Sequence, residues 1–109
     1  MDRRPVSTAT QRRYEEIAAG LAGAGVKPSS MFGMPTLKRN GKAIGGLWGD
    51  AMTFKLAPEA LADALRIEGA HQFDPSGLGR PMKAWVVVPL AKSGEWERLA
   101  QLALAASDT

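Results

Sequence analysis

The chain has 109 residues, 45% hydrophobic and 23% charged, which predicts one globular domain over 1–109 and excludes a disordered chain. It has no cysteine, which excludes disulfides, thiol catalysis and cysteine-ligated metals. No apolar run approaches the ~20 residues of a membrane-spanning helix, and no apolar segment follows the N-terminal arginines, so we expect a bacterial-type cytoplasmic protein without membrane contact.

The first predicted element is a helix that follows a flexible leader at 1–7. Thr8 and Gln11 have the spacing of a capping box, which marks the start of a helix. Apolar residues then recur at helical spacing: Tyr14, Ile17, Ala18 and Leu21. Glycines after this stripe predict the end of the helix, and the segment 27–30 then leads into a sheet.

The stretch from Met31 to Leu56 predicts a meander of three strands. Asn40-Gly41 is a strong signal for a type I′ hairpin, because both central residues of that turn need a positive φ. Gly49-Asp50 can close a second hairpin. Apolar residues then alternate with polar ones at Met52, Phe54 and Leu56, so one face of the meander needs a cover.

The second half of the chain predicts a helix, two strands and a last helix. Pro58 and Glu59 are typical of a helix start, and Gly69 ends that helix. Its expected buried stripe is Leu61, Ala64, Leu65 and Ile67. Gln72 and Phe73 predict a short strand. In the next strand, Met82, Ala84, Val86 and Val88 are expected to point one way and Lys83, Trp85 and Val87 the other. The last helix is expected from about Ser93, with Trp96, Leu99, Ala100 and Ala103 on its apolar face.

The resulting order is helix, three strands, helix, two strands, helix. Strands that come in runs, rather than alternating one-for-one with helices, are typical of an α+β domain with an antiparallel-rich sheet. We therefore expect a two-layer sandwich in which helices cover one face of the sheet.

No group of residues in the sequence indicates a particular reaction. His71 is the only histidine, and Asp74 is its only nearby carboxylate, so a structural or solvated histidine is favoured over a general base. The carboxylates are scattered, which gives no metal site, and no cofactor or catalytic residue is expected. The glycines at 41, 45, 46 and 49 match neither phosphate-loop motif. Gly45 and Gly46 are instead expected to leave room for a helix or for Trp48.

Two groups of side chains are candidates for binding. The net charge is +3, and a local basic excess lies in and beside the hairpins, at Lys38, Arg39, Lys42 and Lys55. It is either a solvated rim or a contact for nucleic acid. Arg80, on a glycine-bounded loop, either binds an anion or ties the loop to Asp74 or Asp50. Trp85 is expected on the open face of the sheet near Lys83, where an exposed tryptophan can form a dimer or partner patch.

Five short segments of the chain also carry a family resemblance. They are Met31-Phe32-Gly33-Met34-Pro35, Asn40-Gly41-Lys42, Gly46-Leu47-Trp48-Gly49-Asp50, Phe54-Lys55-Leu56 and Gly79-Arg80-Pro81-Met82. From about Tyr14 to Ala103 the chain resembles the N-terminal domain of TfoX/Sxy proteins. The resemblance implies the same order of elements and a role in regulating competence for DNA uptake. Longer members add a C-terminal domain for which this chain has no room, so it resembles the single-domain members. The family has no catalytic residues to carry over.

The leading expectation is therefore a non-enzymatic binding module that acts by protein contact, in transcriptional or competence regulation. Its protein partner is not identified by the sequence, and a homodimer is one form that the contact can take. The alternative is an accessory protein that binds nucleic acid weakly through the basic hairpin region. A third reading, an enzyme or small-anion binder around Arg80 and His71, has the least support.

Overall fold

The computed structural model describes residues 6–31, 33–74, 79 and 82–107. These residues form three α-helices: α1 (Thr8–Leu21), α2 (Pro58–Ala64) and α3 (Trp96–Ala106). They also form six β-strands: β1 (Val26–Met31), β2 (Met34–Arg39), β3 (Lys42–Leu47), β4 (Ala51–Lys55), β5 (His71–Phe73) and β6 (Met82–Pro89). Short 3-10 helices span Ala22–Ala24 and Leu90–Glu95. The predicted α+β class is confirmed.

The strands form one sheet in the order β1-β2-β3-β4-β6-β5, and each neighbouring pair is antiparallel. Four strands rather than the predicted three precede α2. The additional strand is β1, whose composition is typical of a connection between elements. Lys27, Pro28 and two serines give β1 the composition of a turn. Proline is tolerated here because β1 is an edge strand and pairs only with β2, so no second neighbour needs its missing N–H group.

The predicted hairpin turn at Asn40-Gly41 is confirmed. Asn40 has φ 53° and Gly41 has φ 79°, which is the pair of positive values that a type I′ turn requires. The turn joins β2 to β3, and Gly49 and Asp50 join β3 to β4. The turn chemistry alone therefore placed the central hairpins correctly.

Gly45 and Gly46 lie where two neighbouring strands come close, not under a helix or Trp48 as expected. A Cβ atom on Gly45 would lie 2.8 Å from the backbone oxygen of Thr53. A Cβ atom on Gly46 would lie 2.6 Å from the backbone oxygen of Pro35. Both positions therefore need glycine because of backbone packing within the sheet.

The main core packs residues of the three helices against alternate residues of the strands. The buried face of α3 is the predicted one, Trp96, Leu99, Ala100 and Ala103, and the indole Nε1 of Trp96 donates to Val88 O over 3.1 Å. In α2 only Ala64 is buried, whereas Leu61 and Leu65 are half-buried. The predicted stripe of α2 thus lies at the edge of the core.

Helix α1 begins one residue earlier than the capping box predicted. Ser7 is the N-cap, and its Oγ accepts the backbone N–H of Thr10 over 3.2 Å. Ser7 N–H in turn donates to Asp50 Oδ1 over 2.6 Å, which ties the start of α1 to the β3–β4 turn. Ser7 is thereby part of the fold rather than of the expected leader, of which residues 1–5 lie outside the described residues.

A second, smaller apolar cluster lies on the opposite face of the sheet. Its buried members are Ala51, Phe73, Trp85 and Val87, and Trp48 packs against it. The rings of Trp48 and Phe73 make an edge contact with centroids 5.0 Å apart, and those of Phe73 and Trp85 are 6.1 Å apart. Both faces of the sheet are therefore apolar over β4 and β6. None of the described helices has the length and apolar character needed to cross a bilayer.

Candidate functional site

The strands of the sheet carry only positive formal charge. Every Lys, Arg, Asp or Glu on the described strands is a cation: Lys27, Lys38, Arg39, Lys42, Lys55 and Lys83. The described carboxylates lie on the helices and the loops. The domain is thus polarised between a basic sheet and a helical part that carries acids.

The two groups of cations also differ in their partners. Three cations of the helical part pair with nearby carboxylates, whereas Arg12 and Arg66 do not within the described residues: Arg13 pairs with Glu16 and Glu97, Lys92 with Glu68, and Arg98 with Asp63 and Glu95. None of the strand lysines forms an ion pair with a carboxylate in the described part of the chain. The positive charge of the strand lysines therefore remains available to an external anion.

Three of the strand lysines point to the face of the second cluster. Lys27 lies directly opposite Lys38, and Lys38 lies opposite Ala43. On the next strand Lys55 lies opposite Trp85, a buried member of the second cluster. Direct cross-strand partners share a face of the sheet, and neighbouring strands are about 4.8 Å apart. We call Lys27, Lys38 and Lys55 the lysine row.

A β-bulge in β3 lies between Lys38 and Lys55. The β2–β3 ladder pairs Lys38 with Ala43 but Leu37 with Gly45, so Ile44 is the extra residue. On the other side of β3, Gly45 pairs with Phe54, the residue before Lys55. Lys38 and Lys55 are therefore separated by the one strand β3. Like charges at this spacing repel, and an anion above the row relieves that repulsion.

Arg39 and Lys42 point to the opposite face. Arg39 lies between Val26 and Lys42 in the ladder, and Val26 belongs to the main core. The guanidinium of Arg39 donates from Nε to Ala24 O over 3.1 Å and from Nη1 to Ser107 Oγ over 3.0 Å. It thereby joins the 3-10 turn after α1 to the end of α3. The basic excess predicted at 38, 39, 42 and 55 is thus divided between two faces, and Arg39 is engaged in the fold.

The expectation of an exposed Trp85 is corrected. Trp85 is only 5% exposed, because Phe73 packs against its ring and the second cluster encloses it. It does not offer the partner or dimer patch that the strand alternation suggested. Lys83, two residues before it on β6, is exposed.

Arg80 and His71 are the remaining candidates. Arg80 lies outside the described residues, so neither of its two predicted roles can be assigned a geometry. Asp74 Oδ2, which was one predicted partner of Arg80, accepts the backbone N–H of Gly79 over 2.9 Å. His71 is exposed on the edge strand β5, and its Nδ1 lies 2.9 Å from Gln72 O.

The described titratable groups with shifted pKa values are Tyr14 and Asp50, and both shifts arise from burial or hydrogen bonds within the fold. Burial raises the pKa of Tyr14 to about 12, so its hydroxyl stays protonated near neutral pH and has no hydrogen-bond partner among the described residues. The hydrogen bond from the Ser7 backbone N–H lowers the pKa of Asp50, although Asp50 is exposed. Within the described ranges, no three His, Asp or Glu side chains converge as metal ligands do.

Sequence reasoning overlooked Lys27 as a site residue. Its strand was not predicted, so the pairing with Lys38 could not be seen. The signal that was present is the lysine itself, beside a proline, since both residue types are common on edge strands. Comparison of the chain with protein-family models, with curated proteins and with solved structures found no match.

Proposed function

We propose that the chain is a non-enzymatic binding module of the bacterial cytoplasm, which acts by contact with an acidic protein surface in transcriptional regulation. In this proposal the helices cover one face of the sheet, and the partner docks on the other face along the lysine row. The regulatory setting, including a role in competence, comes from the resemblance to the TfoX N-terminal domain. The contact surface comes from the structure.

The observation that carries the proposal is the separation of charge between strands and helices. Arg13, Lys92 and Arg98 of the helical part are paired with carboxylates, whereas the lysine row has no carboxylate partner among the described residues. Complementary potentials across an interface speed association and select partners. A surface with unpaired lysines and no acid therefore favours an anionic partner.

Protein contact is favoured over nucleic acid because the aromatic residues beside the row are not available. Single-stranded nucleic acid binds proteins by stacking bases on exposed aromatic rings. Here Phe73 and Trp85 are 2% and 5% exposed, and Trp48 packs against them. Phosphate contact through the lysines remains, and it is the second candidate function. Three such contacts give a log–log salt slope of about −3, which means weak and non-specific binding.

The experiment that tests this function measures fluorescence anisotropy of a labelled peptide rich in glutamate, with a short DNA duplex measured in parallel. The triple variant Lys27→Gln, Lys38→Gln, Lys55→Gln should bind the peptide about 5–30-fold more weakly, since each exposed ion pair contributes roughly 0.3–0.7 kcal/mol. Duplex binding should be non-specific and fade by about 200 mM salt.

A second triple variant, Arg12→Gln, Arg66→Gln, Lys92→Gln, removes the same net charge from the helical part and is the matched control. It should bind the peptide nearly as well as the unmodified chain. Equal losses in the two variants would show that net charge alone attracts the peptide and would contradict a specific surface. A sequence-selective duplex complex that persists at about 200 mM salt would instead favour the nucleic-acid function.

A further inference from the structure

A cavity of about 260 Å³ opens at the edge of the main core, beside the end of α3, and Lys55 of the lysine row is one of its lining residues. It lies between the start of β3, the end of β4 and the last turn of the helix. Ile44 and Leu56, both buried residues of the main core, give it apolar walls. Ala106 borders it from α3. A cavity of this size has room for about nine water molecules at ~30 Å³ each, which suits a ligand of similar atom count.

The polar residues that border the cavity favour a negatively charged ligand. Lys42 and Lys55 line it from the two strands, and none of the described residues that line it carries a carboxylate. Ser107 lines it from the end of α3, and the Arg39 guanidinium donates to Ser107 Oγ over 3.0 Å. Lys42 shares the face of Arg39, as their direct pairing shows. Two lysines therefore border an apolar hollow, and Arg39 contacts its Ser107 side.

The apolar walls and the basic rim together limit the class of ligand that fits the cavity. A bare phosphate or sulfate would make no use of the apolar walls, and none of the described lining residues is aromatic, so none can stack on a nucleobase. The volume also lies below the ~300–1,000 Å³ of pockets that enclose drug-sized ligands. A short hydrocarbon chain that ends in one anionic group matches both the walls and the rim.

We propose that this cavity binds a free aliphatic monocarboxylate of about six to eight carbons. The hydrocarbon chain lies against Ile44 and Leu56, and the carboxylate faces Lys42 and Lys55. A ligand of this size, at an ordinary binding energy per atom, has a Kd on the order of 1 mM. The site shares Lys55 with the proposed protein contact, but Lys42 belongs to the cavity alone and Lys38 to the lysine row alone, because these two residues lie on opposite faces of the sheet.

The experiment is an amide-detected NMR titration of the full chain with hexanoate, hexanol and hexylammonium. Hexanoate should shift the resonances of residues that border the cavity, hexanol should bind at least about five-fold more weakly, and hexylammonium should not bind. Octanoate should bind about ten-fold more tightly than hexanoate, since each buried methylene contributes a factor of about 3–4.

Two variants test the two parts of the site, and a neighbour provides the control. Lys42→Gln should weaken hexanoate binding about five-fold, and Ala106→Leu should block it by filling the cavity. Lys38→Gln, in the same hairpin but on the other face, should leave the affinity unchanged. Equal affinity for hexanol and hexanoate, an equal loss in Lys38→Gln, or no shifts at about 20 mM hexanoate would overturn the proposal. The spectra themselves report whether each variant is folded, and a failure of the acidic peptide to bind the lysine row would not change the effects expected of Lys42→Gln and Lys38→Gln on hexanoate.

Discussion

Replacing Arg39 with alanine should destabilise the domain far more than replacing its neighbour Lys38. Arg39 is half-buried, and among the described residues its guanidinium donates hydrogen bonds to Ala24 O and to Ser107 Oγ. These bonds hold the end of the first helical segment and the end of α3 against β2. Their loss separates three elements that contribute to one core.

The magnitude follows from the two hydrogen bonds. A hydrogen bond that involves a charged group contributes about 1.5–3 kcal/mol, and partial solvent access reduces this. The two hydrogen bonds from Arg39 should therefore together contribute about 2–3 kcal/mol to the free energy of unfolding. For a chain of this length that corresponds to a fall in Tm of about 8–14 °C. Lys38→Ala removes a side chain from a repelling pair and should change stability by less than about 0.5 kcal/mol.

Thermal and urea unfolding, followed by circular dichroism, measure both variants under the same conditions. Arg39→Lys adds a graded control, because it keeps the charge but loses the planar set of donors, and it should fall between the two alanine variants. Equal melting temperatures for Arg39→Ala and Lys38→Ala would refute the reasoning. They would mean that Arg39 is a surface cation like the others.

Three further predictions concern the turns. Gly41→Val should destabilise by about 1–2 kcal/mol in urea melts, because Gly41 has a positive φ, whereas Lys42→Ala should be nearly silent; equal effects would reject the type I′ turn. Gly46→Ala should cost about 1–3 kcal/mol, because the new methyl group would meet backbone atoms that cannot move aside, and an unchanged melt would contradict that packing. The lowered pKa of Asp50 stabilises the fold at pH values above its unfolded pKa of about 3.9, and this stabilisation is lost as the pH falls through the folded pKa. Asp50→Asn should accordingly be less stable than the unmodified chain at pH 7, and the gap should close in acid; a gap independent of pH would show that the bond from Ser7 does not depend on the charge.

The parts of the fold that could be predicted are those fixed by local chemistry. Asn40-Gly41 predicted a turn, because these residue types adopt the positive φ values that the turn needs. The spacing of apolar residues from Trp96 to Ala103 predicted the buried face of α3. β1 could not be found in this way, since Pro28 suits a strand only at a sheet edge, and the edge is a property of the whole sheet.

The candidate site was less accessible to sequence reasoning than the fold. Strand alternation correctly separated Trp85 from Val86, but it wrongly put Ala84 on the other face, since Ala84 packs against the second cluster beside Trp85. Alternation also could not show that Phe73 would pack on the Trp85 ring and bury it. Arg39 and Lys38 are adjacent cations in the sequence, yet one faces the helices and the other the lysine row. Their different roles depend on long-range contacts, which periodicity does not encode.

The most direct test of the proposed contact surface is an NMR titration of the full chain with the glutamate-rich peptide at low salt. The amide chemical-shift changes should concentrate at the lysine row, Lys27, Lys38 and Lys55, and they should become smaller together as salt is added. Shifts confined to the helices, or spread evenly over every exposed lysine and arginine, would contradict it.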